Sequence, residues 1–185
     1  MKNCVWGPLL ACAAILLLPT IASGQAESDC DGLTIKVTGI PEAAGAHCEQ
    51  RKMGGGDGTA TNEFIRMAGP GSFFFVSHTY AGLRTYLIRK EVKDFVGDIE
   101  AFETVSGWSD ERESGDFTVR SFDAKVRGDN GGAVPCFAFS RFSAHVPNSG
   151  GYRHHIFGFY CDFRGRPVDD ARIDALVASL KFEFE

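Results

Sequence analysis

The chain has little that would mark an established chemistry. It contains no C-x-x-C pair, no G-x-S-x-G turn around a serine, and no lysine closing its longest glycine-rich run, Gly54-Gly55-Gly56-Asp57-Gly58-Thr59. The first absence argues against a zinc or copper centre, the second against a hydrolase nucleophile elbow, and the third against a phosphate cradle. A flexible hairpin loop is the better reading of that run. Basic residues are outnumbered, 19 Lys+Arg against 24 Asp+Glu, so no cationic stripe addresses nucleic acid or an anionic membrane. Beyond the N-terminal stretch no apolar run is long enough for a membrane span, and no transmembrane segment is expected once that stretch is removed.

What is present begins with an export signal. Lys2, an apolar run from Val5 to Leu18 broken by Gly7 and Pro8, then Pro19 and the small residues Ala22 to Ala26 read as a secretory signal peptide over 1–26. Leu9-Leu10-Ala11-Cys12 superficially matches a lipoprotein cleavage box, but cleavage there would cut the apolar core in half. Residues 27–185 then form one exported domain with 18 Lys+Arg against 24 Asp+Glu, a net charge of −6, because only Lys2 is lost. Its length, and the chain's 16 phenylalanines, suffice for a real core.

Four cysteines remain, Cys30, Cys48, Cys136 and Cys161, an even number that in an exported chain points to two disulfides. Of the three connectivities, the local one is favoured: Cys30 with Cys48 and Cys136 with Cys161. Cys136 and Cys161 stand nearly equidistant from the turn Pro147–Gly151, so on two antiparallel strands they face each other.

Leu33 to Thr38 alternates apolar and polar residues, as a half-buried strand does. Glu63–Met67 and Ser72–Ser77 read as a strand pair around Gly69-Pro70-Gly71. Between Ala81 and Thr104 the spacing of Ile88, Val92, Phe95, Ile99 and Phe102 predicts a helix, weakened at Gly97, with Asp98 capping a second short one. A competing reading makes Arg84–Val92 a strand and starts the helix near Asp94. Gly107–Gly115 is a polar loop whose acidic residues read as solvated charges rather than catalytic carboxylates. A strand follows over Phe117–Arg127, and Asn130-Gly131 is the best hairpin turn signal in the chain. Ile173, Leu176, Val177 and Leu180 stripe a C-terminal helix begun by Pro167 and Asp169 or Asp170, and Phe182 and Phe184 suggest one last strand.

A two-residue turn at Asn130-Gly131, joined to the cysteine-stapled hairpin, defines a three-stranded meander. One face carries Phe122, Ala124, Val126, Phe137, Phe139, Ile156 and Tyr160 and should seat the C-terminal helix; the other carries the disulfide with Val119, Phe142, Phe157 and Phe159. This register sets Arg120 opposite Arg141, Ser143 opposite His154 and His145 opposite Tyr152. Facing arginines repel unless an anion or a carboxylate lies between them, so Arg120, Arg141 and His154, rimmed by Tyr152 and His145, are the candidate ligand-binding residues. A one-residue slip would remove the pocket, and internal ion pairs are the plainer alternative. His154 and His155 point to opposite faces and cannot chelate together, and His154 with His145 lacks an evident third ligand, so no metal and no cofactor is expected.

The expected fold is α+β: an antiparallel sheet of about 6–7 strands with a C-terminal helix and one or two middle helices packed on it, stapled by two disulfides. The expected function is that of a non-catalytic binding or interaction module, of the kind bacteria place in the periplasm or outside the cell. Its partner would be a small anion or a protein, not nucleic acid. The alternatives are a small hydrolase or lyase acting on an anionic substrate through the Arg/His/Tyr cluster, and a structural envelope-maintenance protein.

Overall fold

A computed structural model of the chain describes residues 30, 32–38, 45–54 and 59–183. The expected signal peptide and residues 55–58 lie outside the described residues. In chain order the elements are β1 (Ile35–Val37), β2 (Ala46–Met53), β3 (Ala60–Gly69), β4 (Ser72–Ala81), α1 (Val92–Gly97), β5 (Phe102–Ser106), β6 (Arg112–Ser114), β7 (Phe117–Val126), β8 (Val134–Val146), β9 (Gly151–Asp162), α2 (Asp170–Ala178) and β10 (Leu180–Phe182). The described residues are therefore mostly antiparallel sheet with two short helices, rather than a balanced α+β fold.

The main sheet runs β2-β3-β4-β9-β8-β7-β5, and β6 shares the outer edge of β7 with β5. Gly69-Pro70-Gly71 reverses the chain between β3 and β4 as its sequence predicts, with Gly69 opposite Ser72. Cys30 is bonded to Cys48 and Cys136 to Cys161, so both local pairings are present.

Two apolar clusters lie on opposite faces of this sheet. On one face Ile65, Phe74, Val76, Phe137, Phe139, Ile156 and Tyr160 are covered by α2 and by the β1–β10 pair. The Asp169 side chain accepts from the Arg172 amide at 2.9 Å and starts α2, which buries Ile173, Leu176 and Val177. On the other face the Cys136–Cys161 bond, Phe122, Phe157 and Phe159 meet Val92 and Val96 of α1.

Two expectations are corrected. The helix expected over 81–104 is confined to α1, and Asp98 closes it as C-cap rather than opening another. Val92, Phe95, Ile99 and Phe102 do reach one apolar cluster, but they arrive from a helix, a turn and a strand, while Ile88 is 61% exposed. Helical spacing was thus produced by three local conformations packing on one surface.

The second correction is the β7–β8 register. The Asp129 side chain accepts from the Gly131 amide at 2.9 Å, and the reversal centres on Asp129 instead of Asn130-Gly131. Phe122 consequently stands opposite Cys136, and Arg120 opposite Ala138 rather than Arg141. A shift by an odd number of residues exchanges faces. Phe122 and Ala124 therefore join the disulfide and α1, and Val119 joins the α2 face. The β8–β9 register has no such error: Cys136 faces Cys161, Ser143 faces His154 and His145 faces Tyr152.

Gly158 sits at the middle of β9 between Val76 of β4 and Phe139 of β8. A Cβ there would overlap the Phe139 ring and lie 2.6 Å from the Phe75 carbonyl oxygen, so the ring of Phe139 fills the space that glycine leaves. Gly158→Ala should lower the unfolding free energy by about 2 kcal/mol through overpacking. Gly132→Ala, where an added Cβ meets nothing within 4 Å, should stay within about 0.5 kcal/mol of the parent in the same denaturant titration.

Candidate functional site

At the end of the α2-bearing face away from Asp162, polar residues occupy inward positions of adjacent strands. Glu63 on β3 stands opposite His78 on β4, and Tyr80 on β4 stands opposite His154 on β9. Thr34, just before β1, closes the group from above. Glu63 and His78 are 5% and 3% exposed, so their polar atoms must find partners within the protein.

These partners form an ordered relay. One Glu63 oxygen accepts from the Thr34 amide at 2.9 Å and the Thr34 hydroxyl at 2.7 Å, and the other accepts from the Gln50 side-chain amide at 2.8 Å. Burial pushes the Glu63 carboxyl up, but the Thr34 hydroxyl and amide and Gln50 together outweigh it, and its pKa lies below the usual carboxylate value. A hydroxyl has one proton. Since Thr34 gives its proton to the carboxylate, it must accept from Nδ1–H of His78, 2.9 Å away. The neutral His78 ring then carries its lone pair on Nε2, which accepts from Nδ1–H of His154 at 3.0 Å. Every proton in the chain thus points inward towards Glu63.

Burial, followed by the neighbouring His154, pushes His78 down to about 4. At neutral pH its 3.9 Å approach to Glu63 is therefore not an ion pair. The His78 and His154 rings lie 11° from parallel with centroids 5.2 Å apart, and Tyr80 packs on His154 at 5.0 Å. Thr34, Thr61, Glu63, His78, Tyr80 and His154 together line a pocket of about 260 Å³.

Tyr80 also begins an exposed platform. β4 pairs with β9 as far as Tyr80–His154, the chain then swings outward, and Leu87 regains a place against β9 by pairing with Tyr152. The Arg153 guanidinium fastens this excursion by donating to the carbonyl oxygens of Gly82, Thr85 at 2.7 Å and Leu83 at 3.2 Å. Gly151 lets it lie close, since a Cβ there would overlap the Tyr86 ring. Held in this way, Tyr80, Leu83, Tyr86 and Ile88 are 42%, 90%, 46% and 61% exposed. Across the hairpin Ala144 has φ +55, a left-handed conformation inside a strand that costs about 1–2 kcal/mol in a residue with a side chain.

The five residues singled out by sequence do not share one pocket. Arg120 donates to the Ser109 carbonyl oxygen at 2.8 Å and lies over Trp108, on the α1 face. Arg141 lies over Phe117 and reaches Asp116 at 3.4 Å, an internal ion pair of the plainer kind. His145 and Tyr152 do meet at the hairpin end, ring edge to face at 5.5 Å, and His154 enters the relay. Sequence reasoning missed Thr34, Glu63 and His78. A signal existed for two of them: Glu63 continues the inward alternation of Met67 and Ile65, and His78 that of Phe74 and Val76.

A second hydroxyl–imidazole pair lies on the opposite face. Ser140 Oγ and His155 Nε2 are 3.1 Å apart, with the imidazole between Phe142 at 4.1 Å and Phe95 at 4.4 Å. Burial, then the charge of His78, pushes His155 down to about 3. So weak a base does not take a proton from a serine at neutral pH, and the pair reads as a satisfied core contact. Among the described residues no group of three or more His, Cys, Asp or Glu is placed to hold a metal ion.

Comparison with protein-family models, curated proteins and solved structures finds no match to this chain.

His78 and His155 give the fold a definite acid response. Both have folded pKa values below the ordinary 6.5, so between pH 6.5 and about 4 the unfolded chain binds more protons than the folded one. Their contribution is complete above pH 6.5 and is lost as pH falls through that window. Melting temperature should therefore drop from pH 7 to pH 4, and the double variant Ser140→Ala/His155→Phe should show a shallower drop. An equal slope in parent and variant would contradict the assignment.

Proposed function

We propose that the protein is an exported, disulfide-bonded binding module without catalytic activity, and that the platform formed by residues 80–88 and the end of the β8–β9 hairpin is its recognition surface. The observation that carries this reading is the presentation of Tyr80, Leu83, Tyr86 and Ile88 to solvent on a segment tied down by three hydrogen-bonded carbonyls. Water-exposed apolar side chains on a segment without such ties would turn inward or move. Fixing them outward costs hydrophobic free energy that a partner recovers when it covers them. Preorganisation by Arg153 also reduces the ordering entropy due at binding. Export is supported by the two disulfides and by the signal-like N-terminus; among the described residues no helix is long and apolar enough to cross a membrane.

The polar features support binding over turnover. His78 and His155, at about 4 and 3, are held neutral and are poor proton acceptors at pH 7. The partner of this surface is a protein or peptide, because a surface of two aliphatic and two aromatic side chains matches the apolar centre of a polypeptide interface.

A photo-crosslinking residue placed at Leu83 or Ile88 in the exported protein should give a discrete adduct, and one at Lys125, on β7, should not. Leu83→Asp should abolish the adduct formed at position 88 without changing the melting temperature by more than about 2 °C. Absence of an adduct at both positions, with the protein correctly exported and oxidised, would overturn the reading.

A further inference from the structure

We propose that the pocket bounded by Glu63, His78, Tyr80 and His154 binds an alkylammonium group, such as the end of a lysine side chain or a methylated amine. This deepens the binding reading above and rests on it: the platform takes the apolar part of the partner, and the adjoining pocket takes a cation.

The charge of the pocket is the first ground. Among the described residues, every group touching the Glu63 carboxylate is neutral at pH 7: the Thr34 amide and hydroxyl, the Gln50 amide, and His78 at 3.9 Å. Glu63 is 5% exposed, so this charge is poorly screened by water, and it lines the cavity. Hydrogen bonds from neutral groups hold this charge in place, and a cation entering the cavity adds the Coulomb attraction that those neutral partners do not supply. The Glu63 carboxylate disfavours an anion in this cavity, where the sequence had placed His154 beside one.

The walls are the second ground. Apart from Glu63 the lining is aromatic or hydroxylic: the rings of His78, His154 and Tyr80, with Thr34 and Thr61. A strongly hydrated metal ion finds no set of oxygen ligands here, whereas an alkylammonium group brings methylenes or methyls that pack on ring surfaces and a charge that aromatic rings attract. The direction of the relay is the third ground. Because each proton in it points towards Glu63, the carboxylate's charge is transmitted outward through His78 to His154, next to Tyr80 at the rim. The volume of about 260 Å³ admits a trimethylammonium head with its first methylenes.

The test is a titration of the intact oxidised protein with choline and, separately, with 3,3-dimethylbutan-1-ol, which has the same shape and no charge. The imidazole resonances of His78 and His154 and the ring resonances of Tyr80 report occupancy. Choline should shift them saturably and bind at least about tenfold more tightly than the alcohol. Glu63→Gln, which keeps an acceptor for Thr34 and removes the charge, should weaken choline about tenfold and leave the alcohol unchanged. Tyr80→Leu, at a half-exposed position that tolerates substitution, should weaken choline several-fold if Glu63→Gln fails to fold. Equal binding of the two probes, binding of neither, or choline affinity unaffected by a folded Glu63→Gln or Tyr80→Leu would overturn the proposal. Failure here would leave the crosslinking at positions 83 and 88 as it stands, because Leu83→Asp should not alter the choline titration.

Discussion

The structure depends on how its central strand is tied at one end. Asp162, the last residue of β9, is fully buried, and its carboxylate accepts from Arg166 at 2.9 Å, Arg172 at 3.0 Å and the Arg164 amide at 2.9 Å. Arg172 also donates to the hydroxyl of Tyr160, two residues back on the same strand. Burial pushes the Asp162 carboxyl up, yet Arg166, the Arg164 amide and Arg172 outweigh it and hold the group ionised. One residue earlier, Cys161 is bonded to Cys136. A charge so enclosed needs all of its partners, since removing one leaves an uncompensated ion in the interior. The ion cluster positions α2 on one face, and the disulfide fastens β8 beside the other cluster.

From that fixed end the strand runs outward through progressively more polar surroundings. Tyr160, Gly158 and Ile156 face the aromatic core, His154 enters the relay, and Tyr152 holds the excursion after β4. The core and the proposed recognition surface thus lie at two ends of one strand. Pocket and platform meet at the Tyr80–His154 pair, the last of the β4–β9 ladder.

Much of this was legible in the sequence where the information was local. The β8–β9 register followed from two cysteines equidistant from a turn, and α2 from an Asp cap and the stripe Ile173, Leu176 and Val177, whereas Leu180 of the same expected stripe lies beyond the helix in β10. The β7–β8 register was not legible because two turn signals overlap: Asn130-Gly131 is a strong one, but the carboxylate of Asp129 captures the Gly131 amide first. The candidate site divides along the same line. His154, Tyr152 and His145 were recognisable at the hairpin end, whereas their connection to His78, Glu63 and Thr34 is created by pairing across β4 and β9, between residues 76 apart for His78 and His154. Arg120 and Arg141 were drawn together only by the mistaken register, and each finds partners locally, Arg120 at the Ser109 carbonyl and Trp108, Arg141 at Asp116 and Phe117.

The excursion between Ala81 and Leu87 leaves the sheet and rejoins it beside the same neighbouring strand. Register before and after it is held by β9, not by the excursion's own length. Exposed side chains on it, such as Leu83, can therefore be exchanged while the sheet keeps its register and Arg153 keeps its three carbonyls. If the excursion is the recognition surface proposed above, its preference can be altered at positions whose variation does not endanger the core.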